Sequence, residues 1–110
     1  MLYYTYKMKK GYYITADGKR VNIKPRDNLD LNSMGITQLV IPYGVKEVIC
    51  YENNIRELII PDTVEEIWCW DNHITNLVLP DNLVFISCEL GSLGDISKYK
   101  NRKIRILLYV

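Results

Sequence analysis

The sequence is poor in the residues that most often build catalytic or metal sites. It contains one histidine, His73, and three cysteines, Cys50, Cys69 and Cys88. An odd number of cysteines indicates free thiols in a reducing compartment rather than a disulfide framework. Zinc sites usually use short Cys-x₂₋₄-Cys pairs, whereas these cysteines are widely and evenly spaced, so we expect no metal and no cofactor.

Long apolar runs are also missing. Residues 1–10 mix tyrosine and lysine and do not resemble a signal peptide, and no later stretch approaches the roughly 20 apolar residues of a membrane span. Hydrophobic residues still make up 48% of the chain, which is enough to build a core and argues against disorder. We expect one soluble domain in the cytoplasm, away from membranes, and leave delivery into a host cell open.

Charge is unevenly distributed along the chain, although the formal net charge is only +1. Residues 27–95 contain twelve acids against two bases, a balance of −10. Residues 1–26 contain seven bases and one acid, and residues 96–110 contain five bases and no acid. An acidic middle therefore lies between two basic ends.

The middle of the chain repeats itself with a constant 19-residue step. Three consecutive units read ITQLVIPYGVKEVICYENN, IRELIIPDTVEEIWCWDNH and ITNLVLPDNLVFISCELGS. Within the first two, an aliphatic residue, a cysteine, an asparagine and an isoleucine recur in the pattern V-x-x-V/I-x-C-x-x-N-x-I. A period of this size predicts stacked units, none of which can bury its apolar face alone.

This pattern resembles the leucine-rich repeat, L-x-x-L-x-L-x-x-N-x-L, and its linkers are similar to those of the short bacterial subtype found in secreted effectors. The resemblance covers about residues 26–95 and includes a degenerate first unit, while the third unit has Gly91 in place of the asparagine. It implies a mainly β, leucine-rich-repeat solenoid with stacked parallel strands. Because each return is about eight residues long, we expect it to be extended or to form a 3₁₀ turn. We expect Asn53 and Asn72 to pair backbone groups where the chain turns out of the strand.

Open ends of such a stack need covering, so we expect β caps at both ends. Asp17-Gly18 is a hairpin signal within residues 1–25, and Ile104 to Val110 alternates as a strand within residues 96–110. The predicted organisation is an N-terminal hairpin cap over 1–25, three clear repeats and one degenerate repeat over 26–95, and a C-terminal capping strand over 96–110.

Strand alternation also predicts which side chains face outward. With Cys69 buried as a small hydrophobe, Trp68 and Trp70 must both point the other way. The outward positions, unit by unit, are Asn28, Asp30 and Asn32; Glu47, Ile49 and Tyr51; Glu66, Trp68 and Trp70; Phe85, Ser87 and Glu89. Aromatic residues on a rigid sheet, surrounded by acids, match the composition of binding hot spots.

We therefore predict a protein–protein interaction module that acts as an inhibitor, adaptor or effector and binds a basic protein through this face. The expected anchors are Ile49, Tyr51, Trp68, Trp70 and Phe85. The acids expected to select the partner are Glu47, Glu52, Glu65, Glu66, Asp71 and Glu89. Since the thiols are expected to be buried and the acids spread over a surface, we expect no catalytic residues and no enzyme activity.

Several alternatives remain open. The aromatic face, or the exposed strand at one end, would make a homodimer or a larger homo-oligomer. A terminal segment would cover the tryptophans. An acidic protein of this size would also fit the nucleic-acid groove of a defence enzyme, as a phage-type inhibitor. The basic ends would contact nucleic acid directly, but we favour a solubilising role for them, because the acidic middle repels phosphate.

Overall fold

A computed structural model describes residues 10–109. Residues 1–9 and Val110 lie outside the described residues, so the predicted N-terminal cap is seen only from Lys10 and the predicted C-terminal strand only to Tyr109. The described chain contains nine strands and two 3₁₀ turns and no α-helix. Among residues 10–109, no helix has the length and apolar character needed to cross a membrane.

The strands form two sheets. The bounds, in chain order, are β1 Gly11–Thr15, β2 Arg20–Ile23, β3 Asn28–Asp30, β4 Ile36–Val40, β5 Glu47–Ile49, β6 Glu57–Ile59, β7 Glu66–Trp68, β8 Phe85–Glu89 and β9 Arg105–Tyr109. A five-stranded parallel sheet has the order β3-β5-β7-β8-β9, and a four-stranded sheet has the order β2-β1-β4-β6. Stacked parallel strands in a mainly β chain confirm the fold class expected from the sequence.

From β3 to β8, the register of the five-stranded sheet follows the 19-residue step. Glu47 pairs with Glu66, and Glu66 pairs with Phe85. Each step of the chain therefore adds one turn to a solenoid and places equivalent residues side by side. The aliphatic residue of each unit and its cysteine are buried in the space between the sheets, where the three cysteines are at most 1% exposed.

The returns between strands are extended or tightly turned. The first two returns contain β4 and β6, which pair in parallel, whereas the third return, residues 74–79, forms no strand. Each return ends in a turn in which a proline carbonyl accepts a hydrogen bond from the third following residue: Pro42 from Val45, Pro61 from Val64 and Pro80 from Leu83. Two 3₁₀ turns, Leu90–Ser92 and Ile96–Tyr99, lead to β9.

Buried asparagines join the turns of the solenoid where the chain leaves each strand. Asn53 Oδ1 accepts hydrogen bonds from the backbone N–H groups of Met34 and Ile36, at 2.9 and 3.0 Å. Asn53 Nδ2 donates to the carbonyls of Leu31, Cys50 and Tyr51. Asn72 repeats this arrangement one turn later, accepting from Ile55 N–H and donating to Cys50, Cys69 and Trp70. The predicted pairing of backbone groups by these side chains is confirmed.

The same turns impose a left-handed backbone conformation just before Asn53 and Asn72 and at the equivalent position before Met34. Ser33, Glu52 and Asp71 occupy equivalent positions and have φ angles of 56°, 57° and 58°. Non-glycine residues seldom adopt this conformation. Its recurrence at one position of three successive turns shows that these turns share one backbone geometry, which sets the direction of the Cα–Cβ bond at this position.

The hairpin of β1 and β2 joins the return side of the solenoid. β1 pairs antiparallel with β2 and, on its other edge, antiparallel with β4. Gly11 begins β1 against Pro42, where an added Cβ would lie 2.4 Å from Pro42 Cδ and 2.6 Å from the carbonyl oxygen of Val40. The close approach of the two backbones therefore requires glycine at this position.

Replacing Asn53 with alanine will strongly destabilise the protein. The change leaves buried N–H and C=O groups of two turns without partners, and each such group costs about 1–3 kcal/mol, so we expect a loss of more than about 3 kcal/mol in the free energy of unfolding. Urea denaturation followed by circular dichroism measures it. Asn54→Ala, at the exposed neighbouring position, is the matched control and should change stability by less than about 0.5 kcal/mol. Equal losses in the two variants would contradict the structural role of Asn53.

Replacing Gly11 with alanine will destabilise the protein by about 1–3 kcal/mol, because the added methyl group collides with backbone and proline atoms that have little freedom to move. Gly91→Ala is the control, since an added Cβ there meets no atom within 4 Å. Thermal melting of both variants separates a steric effect from a general effect of losing glycine. A Gly11→Ala protein as stable as the Gly91→Ala protein would disprove the close packing of β1 on β4.

Candidate functional site

The outward side chains of the five-stranded sheet form three rows that run across the strands. The first row follows the register Asn28, Glu47, Glu66, Phe85 and Arg105. The second follows Asp30, Ile49, Trp68, Ser87 and Leu107. The third contains Tyr51, Trp70, Glu89 and Tyr109, of which Glu89 and Tyr109 are paired directly. We call this surface the sheet face. All eleven residues predicted to bind a partner lie on it or at its rim.

The third row brings three aromatic rings into contact, of which two are stacked. Tyr51 and Trp70 are nearly parallel, with ring centroids 4.8 Å apart and an interplanar angle of 7°. Trp70 also contacts Tyr109, at 5.3 Å, although strand β8 lies between their strands. Strands two positions apart are separated by about 9.5 Å, so the rings must lean toward each other across β8.

A second aromatic contact joins the first two rows. The rings of Trp68 and Phe85 lie 4.9 Å apart at an angle of 46°. The guanidinium carbon of Arg105 lies 5.6 Å from the centroid of the Phe85 ring, within the range of a cation–π contact. Trp68, Trp70, Tyr51 and Phe85 all remain partly exposed, so β9 adds to the aromatic surface without covering it.

The stacked rings do not lie flat on the sheet. Parallel rings need about 3.5 Å between their planes, so a centroid distance of 4.8 Å between neighbouring strands inclines the planes by about 45° or more to the sheet. The surface therefore presents ring edges. Ring edges carry the positive end of the aromatic quadrupole and favour contact with acceptor groups or with the faces of other rings.

Tyr51, Trp70, Trp68 and Phe85 together form an aromatic strip. Acidic side chains lie at both ends of the strands that carry it. Glu47 and Glu66 are directly paired on neighbouring strands, and like charges in this position destabilise a sheet. Glu52 and Asp71 lie at the opposite rim, held by the left-handed turns. From Glu47 to Glu52 the chain advances five residues, which spans at most about 16 Å. Acidic residues thus lie at both ends of the sheet face along the strands, and Phe85 shares its row with Glu47 and Glu66.

The acidic residues predicted to bind a partner differ in the ion pairs and hydrogen bonds that they already make within the chain. Lys46 Nζ lies 4.0 Å from Glu65, and among residues 10–109 neither Glu47 nor Glu66 has a basic side chain within that distance. Glu52 Oε1 accepts a hydrogen bond from Ser33 at 3.1 Å. Glu89 is the most constrained, because its Oε1 accepts from the backbone N–H groups of Asp71 and Asn72. The Glu89 carboxylate therefore takes the place of acceptor groups that a further regular turn would supply. It is less available to bind a partner.

Two features of the sheet face were not predicted from the sequence. Tyr109 and Arg105 belong to it, because β9 pairs with β8 in a register shifted by one position from the 19-residue step, with Arg105 opposite Phe85. Ser87 was expected to be exposed, but it is fully buried under its larger neighbours, although it lies in the outward row between Trp68 and Leu107. Its Oγ has no hydrogen-bond partner among residues 10–109.

The chain was compared with protein-family models, with curated proteins and with solved structures, and none of the three comparisons gives a match.

Cys50, Cys69 and Cys88 form a column beneath the sheet face, and their thiols have low reactivity. Burial raises the pKa of the Cys50 thiol to about 12, and burial together with the nearby Glu89 carboxylate raises the pKa of the Cys88 thiol to about 11. Burial is also the main cause that holds the pKa of Cys69 well above its usual range. Thiols in this state are poor nucleophiles at neutral pH. Among residues 10–109, no three His, Cys, Asp or Glu side chains are arranged to hold a metal ion.

The three thiols will be unreactive toward a disulfide reagent such as DTNB at pH 8 and will all react after unfolding in guanidinium chloride. Their folded pKa values lie above the unfolded value near 9, so the unfolded state loses protons first as pH rises. The stability contributed by these groups is therefore complete below about pH 9 and is lost toward pH 12. Rapid modification of the native protein at pH 8 would contradict the burial of the column.

Proposed function

We propose that this chain is a recognition protein of the leucine-rich-repeat type that binds a basic protein partner through the sheet face. Binding, rather than catalysis, would be its activity, as an inhibitor, adaptor or effector. The observation that carries the proposal is a partly exposed aromatic strip with acidic residues beside it. Several of these acids have no basic partner in the described part of the chain. The strip consists of Tyr51, Trp70, Trp68 and Phe85.

The leucine-rich-repeat assignment is supported by the asparagines as well as by the sequence pattern. Asn53 and Asn72 follow the parallel strands and bond backbone groups of neighbouring turns, as expected for the asparagine of the repeat L-x-x-L-x-L-x-x-N-x-L. The returns contain extended segments and no α-helix among residues 10–109, in keeping with the short subtype.

The energetics of the face suit binding. Aromatic side chains bury large areas on association, and here their neighbours already restrict their rotamers, so less conformational entropy is lost. The acids supply a second contribution. Two pairs of acids, Glu47 with Glu66 and Glu52 with Asp71, lie at opposite ends of the strands. They would attract a partner that carries lysine or arginine on both sides of an apolar centre.

Paired variants test the proposal. Trp68→Ala/Trp70→Ala removes the aromatic centre, and Glu47→Lys/Glu66→Lys reverses the charge of one pair of acids. Val78→Ser and Glu57→Lys are the controls, because Val78 is 81% exposed on the third return and Glu57 is exposed on β6 in the other sheet. Affinity capture from cell extract with each bait, followed by mass spectrometry, identifies proteins retained by the wild type and by both controls but lost from both face variants.

A partner found in this way should bind more weakly as salt rises, because charge pairs at the rim are screened. The affinity of the purified pair should fall at least about tenfold in each face variant and change less than about twofold in the controls, as measured by calorimetry. Light scattering of the wild-type protein alone tests the homo-oligomer alternative. A dimer that dissociates in Trp68→Ala/Trp70→Ala, or a partner that binds all variants equally, would refute a foreign partner at the sheet face.

A further inference from the structure

Strand β9 is the last strand of the five-stranded sheet among residues 10–109. It pairs in parallel with β8 along its whole length, from Arg105 opposite Phe85 to Tyr109 opposite Glu89. Among residues 10–109, no strand pairs with its other edge. We propose that this edge binds an extended, acidic segment of a partner protein, which adds to the sheet as a sixth strand. The proposal uses the edge rather than the sheet face and does not rest on the proposed function.

The backbone groups that the edge offers can be identified. Arg105 N–H donates to the Val84 carbonyl, so the backbone groups of Arg105 point toward β8. In an extended strand the N–H and C=O groups of one residue point to the same side, and the side alternates from residue to residue. The N–H and C=O groups of Ile106 and Leu108 therefore point to the edge away from β8, as a template for another strand.

The edge has few of the features that usually protect the rim of a sheet. The register with β8 runs without a bulge, and Arg105–Tyr109 contains no proline and no charge that points inward. Leu107 and Tyr109 are 50% and 40% exposed on one side of the strand, while Ile106 and Leu108 are only half-buried on the other. An added strand would cover apolar surface on both sides of the sheet.

Charge selects the occupant. Residues 96–110 contain five bases and no acid: Lys98, Lys100, Arg102, Lys103 and Arg105. Two copies of this end would bring together two segments of like charge, which opposes a dimer through β9. A head-to-tail assembly, in which β9 of one copy pairs with β3 of another, is not favoured by charge either. Near β3 the positive charges of Lys24 and Arg26 offset the negative charges of Asp27 and Asp30. An extended segment that alternates acidic and apolar residues complements both the charge and the exposed side chains.

A defined probe tests this directly. A fluorescent eight-residue peptide that alternates glutamate with valine should bind the wild-type protein in an anisotropy titration, with an affinity that falls as salt rises. The same peptide with lysine in place of glutamate should not bind. In amide hydrogen exchange, the glutamate peptide should protect the Ile106 and Leu108 amides, which face the edge away from β8.

Leu108→Pro and Leu108→Ala form the decisive pair. Both lose the leucine side chain, but only proline removes the N–H group on the edge away from β8, and it leaves the bonds to β8 intact. Peptide affinity should fall at least about tenfold in Leu108→Pro relative to Leu108→Ala, with melting curves confirming that both proteins are folded. Equal affinities, no binding of the glutamate peptide at millimolar concentration, or a wild-type dimer that only Leu108→Pro dissociates would each overturn the proposal.

Discussion

The hydrogen bonds of two buried amide side chains hold the solenoid together. The carboxamide of Asn53 bonds backbone groups on both sides of the turn that follows its strand, and Asn72 does the same one turn later. A chain that turns sharply inside a core leaves N–H and C=O groups that no neighbouring strand can reach, and burying them unpaired is costly. One asparagine in each of the two regular turns meets this need. The 19-residue step brings Asn72 to the place that Asn53 occupies one turn earlier.

The sheet face depends on that step. When each turn has the same length, equivalent side chains stand next to each other on neighbouring strands, and Tyr51 meets Trp70 as a stack. Where the third unit has Gly91 instead of asparagine, the regular pattern ends. Glu89 then bonds the free amides of Asp71 and Asn72, the chain passes through two 3₁₀ turns, and β9 pairs one position later than the step requires. The position at which Gly91 replaces asparagine therefore lies just before the basic C-terminal segment whose strand β9 joins the acidic sheet face.

Much of this arrangement was predictable because it depends on local periodicity. Alternation along each strand places Cys50, Cys69 and Cys88 inside and Trp68 and Trp70 outside, and the structure agrees. The parallel order of strands and the role of the asparagines also follow from the repeat. The burial of Ser87 did not follow, because its row neighbours Trp68 and Leu107 come from the two strands beside it, and β9 lies outside the repeat.

The sequence by itself determined the length of each turn, the inward and outward faces, and the division of charge between an acidic middle and basic ends. Only the tertiary structure decided that β1 pairs with β4 on the return side, that Tyr109 and Arg105 complete the sheet face, and that among residues 10–109 β9 pairs with β8 alone. The reason is physical. Within the repeat, each residue meets its own equivalent from the next unit, so one pattern specifies both sides of the contact. At the ends, unlike segments meet, and their register is set by contacts such as Gly11 against Pro42, which no periodicity encodes.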